Sequence, residues 1–451
     1  MVLLINPKTT KNSQNFDFYF REPNLGILYL AALLDSHNYD VEILDLEQFI
    51  YSENFDLEKI VLDHIRYHKV IGITSLTNTY SFAHEIIKII KSYNSDLITI
   101  LGGPHVSFFY EDLLNKSSES RNLIDFICIG ESERSFISLI HFLKKINYNK
   151  KKVNKNQSKL ELIKGLAYPS NTTNGFIFTG YDNEPIDIEE LPHPARNYLT
   201  HTNYYYNVAN VIINRGCPNR CSFCSRQNLF RKTRIRSIES IFSELEDIYS
   251  LNTYKYINFY DNININKEFF KQFCLKFIQW NEHVRNPIPW GCELRADSIT
   301  REEAKLLKKS GCMLIATGIE SASEEVLKQN FKYQDPKKVK EGIVNLKSEG
   351  LPIQAYFVLG LPGETEETFN RTINFIKELP FTENDKINYF IATPYPGSRL
   401  WIEKKTFGLQ IFEKNFDKYD CEHLIFETKD LSKDKLKEMI KQTKEIENYF
   451  S

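Results

Sequence analysis

The sequence has no apolar run that approaches the roughly 18 residues a membrane-spanning helix requires, so no membrane span is expected. It also has little net charge, because 57 Lys and Arg residues stand against 59 Asp and Glu. No basic stripe indicates a nucleic-acid-binding surface. The first residues, MVLLINPKTT, lack a basic leader and are typical of a β-strand rather than a signal peptide. We therefore expect a cytoplasmic protein without a nucleic-acid partner.

The eight cysteines are too unevenly spread for the disulfide framework of a secreted protein. Five stand singly among apolar neighbours, as buried hydrophobic residues do: Cys128, Cys274, Cys292, Cys312 and Cys421. The other three, Cys217, Cys221 and Cys224, fall within eight residues of one another. This cluster indicates a metal or redox role.

With 451 residues, of which 42% are hydrophobic, the chain is long enough for two domains. Residues 1–145 alternate short apolar strands with helical stretches, the pattern of a parallel sheet covered on both faces. We predict a Rossmann-like or flavodoxin-like α/β domain here. Ligands bind such sheets at the C-terminal strand ends, where Gly102, Gly103 and Gly130 fall.

The rest of the chain divides into three predicted parts. Residues 146–204 are predicted to be a linker, with an exposed Lys- and Asn-rich start and a short hairpin over 165–182. Residues 205–400 contain six further strand–helix units, which predict a partial (β/α)6 barrel with its site at the C-terminal strand ends. Residues 401–451 are charged and are predicted to form a helical C-terminal segment.

The clustered cysteines lie in RGCPNRCSFCSRQ, directly after the first predicted barrel strand. Their C-x3-C-x2-C spacing fits three thiolates that bind three irons of a [4Fe-4S] cubane and leave the fourth iron open. An open coordination position is typical of a catalytic centre. Zinc is the alternative, but it would normally need a fourth ligand, and no further Cys or His lies between residues 202 and 273.

This C-x3-C-x-(aromatic)-C motif after the first strand of a βα barrel resembles the signature of radical S-adenosylmethionine (radical SAM) enzymes. The resemblance continues, in order, through RIRSIESIFSEL, FYDNI, GCELRAD, TGIESAS, GLPGET and TPYPGS. The first domain, with PNLGILYLAALL, GITSLTNTY, LGGPH and IGESE, resembles the branch whose N-terminal domain binds cobalamin. In all, the resemblance covers roughly residues 1–145 and 190–400.

The resemblance implies an enzyme whose open iron is chelated by the amino and carboxylate groups of S-adenosyl-L-methionine. An electron, from a reducing partner such as flavodoxin or ferredoxin, would cleave that molecule to a 5′-deoxyadenosyl radical. Phe223 matches the aromatic residue that flanks the adenine in the family, with loop packing as the alternative. Gly360 and Pro362 belong to the loop beside the adenine, with a structural turn as the alternative. Glu364 and Thr365 are expected to cap the helix that follows.

Charged residues at the predicted barrel strand ends are further candidates for the S-adenosylmethionine site. Strand alternation puts Glu293 and Arg295 on one face of the third strand. Charges in a barrel interior need a ligand or each other. These two residues therefore either contact the ribose hydroxyls and the methionine carboxylate, or form a structural ion pair at the barrel rim. Asp261 stands where many family members carry a Gly-Gly-Glu run that holds the methionine amino group, and this departure leaves that contact open. Glu320 ends the fourth strand and can line the same cavity.

The first domain carries the candidates for the cobalamin site. The second strand is followed by Leu46-Glu47-Gln48-Phe49, which lacks the histidine of the D-x-H-x-x-G loop, so no histidine ligand to cobalt is expected from it. His105 is the nearest candidate for contact with the cofactor, with a structural role as the alternative. The other candidates are Thr74, Ser75, Thr77, Gly102, Gly103, Gly130 and Glu131.

The resemblance leaves two reaction classes. The first is methylation of an unactivated carbon or phosphorus centre of a small-molecule substrate, with cobalamin as the methyl carrier. The alternative is a cobalamin-assisted cyclisation, oxidation or rearrangement without methyl transfer, as in the anaerobic cyclase of chlorophyll-type tetrapyrroles. A tRNA methylthiotransferase is disfavoured, because neither a second set of cysteines nor a basic terminal β-barrel is visible. A corrinoid carrier would not need the cysteine loop.

Overall fold

The structure is a computed structural model that describes residues 1–9, 21–49, 52, 54–115, 118–170, 175–202 and 206–449. The first domain contains strands β1 (Val2–Asn6), β2 (Val41–Asp45), β3 (Val70–Thr74), β4 (Ile98–Gly102), β5 (Phe126–Cys128), β6 (Leu166–Pro169) and β7 (Phe176–Phe178). They lie in the order β2-β1-β3-β4-β5-β6-β7, and the first five are parallel. The order 2-1-3-4-5 is flavodoxin-like, which confirms the predicted fold of this domain.

Helices cover both faces of this sheet. They are α1 (Leu25–Ser36), α2 (Leu57–Ile65), α3 (Tyr80–Tyr93), α4 (Pro104–Leu114) and α5 (Glu133–Lys145). Residues of α1 and α5 build the apolar core on one face, and residues of α2, α3 and α4 build the core on the other. In this domain the sequence pattern predicts helices over 25–37, 80–93 and near 109–116, and α1 and α3 agree with the first two. Helix α4 begins earlier than expected, at Pro104, since proline is well suited to a first helical turn. Helices α2 and α5 were not predicted from the pattern.

The predicted hairpin forms β6 and β7, and its turn, 171–174, lies outside the described residues. It belongs to the first sheet rather than to a separate linker, because β6 pairs antiparallel with β5 and β7 with β6. This pairing covers the edge of β5, whose backbone groups would otherwise be open. The Lys- and Asn-rich stretch before it contains two one-turn helices, α6 (Lys150–Val153) and α7 (Gln157–Leu160).

The second domain contains strands β8 (Val208–Val211), β9 (Asn214–Arg215), β10 (Arg234–Ile235), β11 (Tyr256–Asn262), β12 (Trp290–Glu293), β13 (Cys312–Glu320), β14 (Ile353–Leu359) and β15 (Lys386–Ile391). Six of them form one parallel sheet in the order β8-β11-β12-β13-β14-β15, while β9 and β10 pair antiparallel. Strands β8 and β15 are the two edges, so the barrel is partial, as predicted.

The barrel helices are α8 (Arg226–Phe230), α9 (Ile238–Leu251), α10 (Lys267–His283), α11 (Arg301–Lys309), α12 (Glu324–Gln329), α13 (Pro336–Ser348) and α14 (Glu366–Lys377). The stretch VANVIINRG, residues 208–216, predicts one strand, but the structure divides it into β8 and β9. The cause is the side chain of Asp261, whose Oδ2 accepts the N–H groups of Ile213 at 2.7 Å and Asn214 at 2.9 Å. These backbone donors are therefore turned out of the sheet and towards the C-terminal end of β11.

The C-terminal segment contains α15 (Arg399–Ile402), β16 (Gln410–Ile411), β17 (Phe426–Glu427) and α16 (Lys433–Tyr449). The prediction of a helical segment holds only from Lys433, since β16 and β17 form a small antiparallel ribbon before it. Phe416 in this segment packs against His105 and Phe109 of the first domain, at ring distances of 4.9 and 5.2 Å. The segment thus joins the barrel to the first domain. No helix in the described part of the chain has the length and apolar character to cross a membrane.

Candidate functional site

The three clustered cysteines lie on the loop between β9 and α8, beyond the C-terminal end of β8. Burial raises the pKa of Cys221 to about 11, with Cys224 and Cys217 acting in the same direction. Cys224 is exposed, but desolvation by the surrounding protein atoms raises its pKa too, and Cys217 acts on it in the same direction. The three thiols are therefore close enough to interact, and a bound metal is what would favour their deprotonated form.

Three cations lie around this loop. A negative charge on Cys217 would interact with both Arg226 and Arg295, and the charge of Lys332 lowers the pKa of Cys221. Thiolate ligands next to cationic side chains fit an anionic iron–sulfur cluster. Among the described residues, no three His, Cys, Asp or Glu side chains are arranged to hold a single metal ion. A cubane does not need such an arrangement, because its thiolates bind different irons.

Asp261 holds the start of the cysteine loop. Its Oδ2 accepts the N–H groups of Ile213 and of Asn214, the first residue of β9, and its Oδ1 pairs with Arg226. Arg226 also donates to the carbonyl oxygen of Asn214 at 2.9 Å. Asp261 is 2% exposed, and both of its oxygens have partners within the protein. Its predicted contact with the methionine amino group stays a prediction, but its contacts here position the loop.

Ser222, which lies between two of the cysteines, was not singled out in the sequence. Its N–H donates to the carbonyl oxygen of Asn330 at 2.9 Å, and its hydroxyl donates to Asn330 Oδ1 at 2.7 Å. The Asn330 amide in turn donates to the carbonyl oxygen of Pro362 at 2.9 Å. Both Ser222 and Asn330 are fully buried. Asn330 therefore connects the cysteine loop to the GLPG loop, residues 360–363. In the sequence, the only signal of this connection is that Ser222 lies within the cysteine motif.

Glu293 and Glu320 are the acidic side chains at the ends of β12 and β13. Burial raises the pKa of Glu293 to about 7, and the negative charges of Asp261 and Glu320 act in the same direction, opposed by Arg226 and Lys332. Glu320 has a left-handed backbone, with φ of 62°, and its Oε1 lies 2.6 Å from Lys332 Nζ. Glu320 is thus neutralised by the protein, whereas the described residues offer Glu293 no ion pair.

Arg295 pairs with Asp297 rather than with Glu293. Its guanidinium contacts the Asp297 carboxylate at 2.7 and 3.1 Å, and it donates to the carbonyl oxygen of Tyr333 at 2.6 Å. Strand β12 ends at Glu293, so Arg295 lies just beyond it. The predicted alternation is confirmed, because Cys292 and Leu294 are buried while Glu293 and Arg295 are partly exposed. The ion pair that forms is Arg295–Asp297, and the role of both residues towards S-adenosylmethionine stays a prediction.

The GLPG loop lies against the cysteine loop. Phe223 and Leu361 belong to one apolar cluster. Phe223 therefore has the packing role that was the alternative to a contact with adenine, and the same packing places it beside the GLPG loop. The N–H of Gly360 donates to Glu364 Oε2 at 2.6 Å. Glu364 therefore closes the turn instead of capping helix α14, and burial raises its pKa to about 8. Thr365 is the N-cap, as predicted.

A cavity of about 300 Å³ lies at the C-terminal strand ends of the first domain. Its walls include five of the residues predicted for cobalamin: Thr74, Gly102, Gly103, Gly130 and Glu131. The barrel domain contributes Ile212, Arg215, Leu229 and Phe230. A Cβ on Gly102 would meet no atom within 4 Å, so this position opens onto space. The cavity is at the switch point where such sheets bind ligands, and its mainly apolar wall fits the buried tail of a corrinoid.

Three residues predicted for the same cofactor lie elsewhere. Ser75, Thr77 and His105 do not line the cavity. His105 is 1% exposed, its Nδ1 lies 3.3 Å from Thr77 Oγ1, and its ring packs 4.7 Å from Tyr80. Burial lowers its pKa to about 3, so it is neutral. The carbonyl oxygen of Ser75 accepts the N–H of His105 at 3.2 Å, and the Ser75 hydroxyl donates to the carbonyl oxygen of Leu76 at 3.2 Å. Gly103 has a φ of 99°, and a Cβ there would lie 2.6 Å from the Ser75 carbonyl oxygen, so this position requires glycine.

Glu131 joins the two domains. Its carboxylate lies 3.1 Å from Arg215 Nη1 and 2.7 Å from Arg234 Nη2. Glu133 approaches Arg215 Nη2 at 2.6 Å. These are buried ion pairs, so Glu131 reaches the cavity wall already paired. Glu131 was a candidate from the sequence, but Arg215 was not, although Arg215 stands two residues before the first clustered cysteine.

Two family models match the chain, one in each domain. The B12 binding domain matches residues 16–140, and the Radical SAM superfamily matches residues 211–376. An uncharacterized methyltransferase of Pyrococcus horikoshii is 29% identical over 430 residues, which are 93% of this chain and 86% of that protein. An anaerobic magnesium-protoporphyrin IX monomethyl ester cyclase of Rubrivivax gelatinosus is 27% identical over 359 residues, 78% of this chain and 60% of the cyclase.

A solved structure shares the fold. The radical S-adenosylmethionine methyltransferase TsrM of Kitasatospora setae, with cobalamin and a [4Fe-4S] cluster bound, has a TM-score of 0.70 at 16% identity. The match covers 91% of this chain and 76% of that one. The order of the two domains, the three-cysteine loop and both family matches agree with the resemblance seen in the sequence. The chain therefore carries a B12-binding domain followed by a radical SAM domain.

Proposed function

We propose that this chain is a cobalamin-dependent radical SAM methyltransferase that methylates an unactivated centre of a small molecule. One observation carries the proposal. The cavity at the strand ends of the first domain is also lined by Ile212 and Arg215, which lead directly into Cys217. The cobalamin site and the cluster site thus share one short segment. When bound, the cluster supplies an electron to S-adenosylmethionine and cobalamin supplies the methyl group.

The cysteine loop would hold the cluster through Cys217, Cys221 and Cys224. Asp261 fixes the start of the loop through two backbone N–H groups, and Asn330 fixes its middle. Both contacts are buried, so they exclude water from behind the loop. A site that is held in one geometry before the reaction loses less free energy to reorganisation during it.

The neighbouring loops would bind S-adenosylmethionine. Glu293 offers a carboxylate without an ion-pair partner among the described residues, which suits the ribose hydroxyls. Arg295 keeps its guanidinium next to the cysteine loop and suits a carboxylate. Phe223 shares an apolar cluster with Leu361, which stands between Gly360 and Pro362, and we propose that Phe223, Gly360 and Pro362 flank the adenine. Asp261 and Glu320 are already paired with Arg226 and Lys332, so they would position these cations next to the same ligand.

The first domain would bind cobalamin at the interdomain cavity. Thr74 and the glycines at 102, 103 and 130 line it, and backbone can approach a ligand closely at such positions. His105 lies against the C-terminal segment instead. We therefore propose that cobalt receives no histidine from this chain.

An electron donor is required, and we propose flavodoxin or ferredoxin in the cytoplasm. The relative from Pyrococcus horikoshii is named a methyltransferase, and TsrM is described as one, which supports methyl transfer. The similarity to the cyclase favours, as a second candidate, a cobalamin-assisted ring closure or oxidation without methyl transfer.

One experiment separates the two candidates. The anaerobically reconstituted protein is incubated with a reductant, a small-molecule extract and S-adenosylmethionine labelled with a deuterated methyl group. Methyl transfer predicts labelled products by mass spectrometry, with S-adenosylhomocysteine and 5′-deoxyadenosine formed together. Deoxyadenosine without labelled product favours the cyclase-like reaction. Cys221→Ala is the control that should form none of these, and absence of both nucleoside products from the parent protein would contradict the proposal.

A further inference from the structure

We propose that Arg215 is a positioning residue that fixes the cysteine loop against the cobalamin-binding domain, so that the cluster and the corrinoid keep one separation. The inference rests on the proposed function, because it assigns a distance between the two cofactors. It goes beyond that function in naming the side chain that sets the distance. Arg215 belongs to the barrel domain by sequence, but its charge is neutralised by the first domain.

The backbone between Arg215 and the first cluster cysteine is held rigidly. Gly216, the single residue between them, has a φ of 84°. A Cβ at this position would lie 2.5 Å from the carbonyl oxygen of Lys232, so only glycine fits. The backbone of Arg215 lies opposite that of Arg234 in the antiparallel β9–β10 ribbon. A displacement of Arg215 would therefore be transmitted directly to Cys217.

The side chain of Arg215 reaches into the first domain. Its Nη2 lies 2.6 Å from Glu133 Oε1, in the first turn of α5, and its Nη1 lies 3.1 Å from Glu131 Oε1. Arg234 Nη2 lies 2.7 Å from Glu131 Oε2, so a second guanidinium compensates the second carboxylate. Two guanidinium groups and two carboxylates thus form one neutral network. All four side chains are at most 14% exposed, so solvent does not screen them.

The same guanidinium forms part of the cavity wall. It lies 5.3 Å from the ring of Tyr29 and 5.9 Å from the ring of Phe230, one from each domain. All three residues line the interdomain cavity. Arg215 is therefore in contact with the corrinoid site on one side and is two residues from a cluster ligand on the other.

The neighbouring residue is held from the barrel side. Asn214 donates its N–H to Asp261 and accepts from Arg226 at its carbonyl oxygen. Strand β9, only two residues long, is consequently fixed to the barrel by its first residue and to the cobalamin domain by its second. An Arg at this place is specific, because a planar guanidinium can meet two carboxylates at once and an ammonium group cannot do so in the same geometry.

The test uses the full chain, reconstituted with cluster and cobalamin and reduced to the paramagnetic Co(II) and [4Fe-4S]⁺ states. Pulsed electron paramagnetic resonance measures the dipolar coupling between the two centres, which depends on their distance. The variants are Arg215→Lys and Glu133→Gln, each of which changes one end of the network. Asp385→Asn is the matched control, because it also removes a buried carboxylate charge, paired with Lys347 at 2.6 Å, in the barrel outside this network.

We expect both variants to bind iron and cobalamin at near-parental levels but to show a broadened or shifted distance distribution, with the control unchanged. Hydrogen exchange of the cofactor-free protein should rise together in 130–133 and 212–217 in both variants. Parental dipolar coupling and exchange in these variants, with a loss of thermal stability like that of the control, would overturn the inference and leave the proposed function standing. A parent protein that binds neither cofactor would overturn both. If Arg215→Lys does not fold, Glu133→Gln alone decides.

Discussion

The hydroxyl of Ser222 donates to the side-chain oxygen of Asn330 at 2.7 Å, across 108 positions of sequence. Because the amide of the same asparagine donates to Pro362, one side chain sets the separation of the cysteine loop and the GLPG loop. An asparagine is suited to this place because its amide is a donor and an acceptor at once.

Asn330→Ala should weaken S-adenosylmethionine binding about tenfold or more and lower the iron content, because two loops lose their common contact. The buried groups left without partners also cost about 1–3 kcal/mol of folding stability each. Calorimetric titration, iron analysis and thermal unfolding measure the three effects. Asn345→Ala is the control, since Asn345 donates to the Ile299 carbonyl oxygen at 2.9 Å away from the site. Equal losses of affinity in both variants would contradict the prediction.

Replacing Cys217, Cys221 or Cys224 by Ala, one at a time, should abolish cluster binding, because each thiolate binds a different iron. Iron and sulfide analysis, with the brown absorption of the anaerobically reconstituted protein, measures the result. Cys274→Ala is the control, because this fully buried cysteine lies in the barrel core. It should cost stability but keep the iron. A colourless zinc protein with full activity would show that the assignment is wrong.

Arg295→Ala should weaken S-adenosylmethionine binding while the cluster remains assembled. Nε and Nη2 of the guanidinium hold Asp297, but Nη1 lies 3.4 Å from Asn219 of the cysteine loop, where it can meet a ligand carboxylate. The measurement is calorimetric affinity alongside iron content and thermal stability. Arg371→Ala, at an exposed arginine paired with Glu325, is the control. Unchanged affinity with a large fall in stability would mean that the contact with Asp297 is the main role of Arg295.

The Co(II) form of the cobalamin-loaded protein should show no nitrogen splitting from a protein histidine in its electron paramagnetic resonance spectrum. His105 is packed among aromatic rings away from the cavity, so His105→Ala should leave the spectrum and the cobalamin content unchanged. Gly102→Leu fills the open space at the cavity wall and should lower the cobalamin content. Nitrogen splitting that disappears with His105→Ala would refute the prediction.

Glu364 should make the protein less stable as the pH rises. Its carboxyl is 2% exposed, and burial raises its pKa from 4.5 to about 8, so the folded state keeps a proton that the unfolded state releases. The stabilisation is complete below about pH 4.5, falls as the pH rises through 8, and is absent above it. Urea unfolding at several pH values should show a flatter profile for Glu364→Gln. The exposed Glu378→Gln should keep the parental slope, and an equal slope in all three proteins would refute the role of Glu364.

Much of the fold was predictable from local pattern. Apolar runs of strand length alternate with helical stretches, and each pattern reports which face its own segment buries. The apolar run VLLIN predicts the bounds of strand β1 (Val2–Asn6), and the helical pattern over 80–93 predicts those of α3 (Tyr80–Tyr93). The errors fell where distant atoms compete for the backbone, as at β9, which Asp261 separates from β8. The edge pairing that adds the hairpin to the first sheet has no local signature either.

The sequence by itself determined the domain order, the two fold types and the cysteine loop, because spacing along the chain and period of burial are properties of short segments. Only the tertiary structure decided which candidates meet. It brought Glu131 to Arg215, 84 positions away, paired Arg295 with Asp297 instead of Glu293, and turned His105 from the cavity. The physical reason is that a buried charge or hydrogen-bonding group takes whichever partner the packing places within about 3 Å. The arrangement of whole strands and helices selects that partner, and the neighbours of the buried group in the sequence do not.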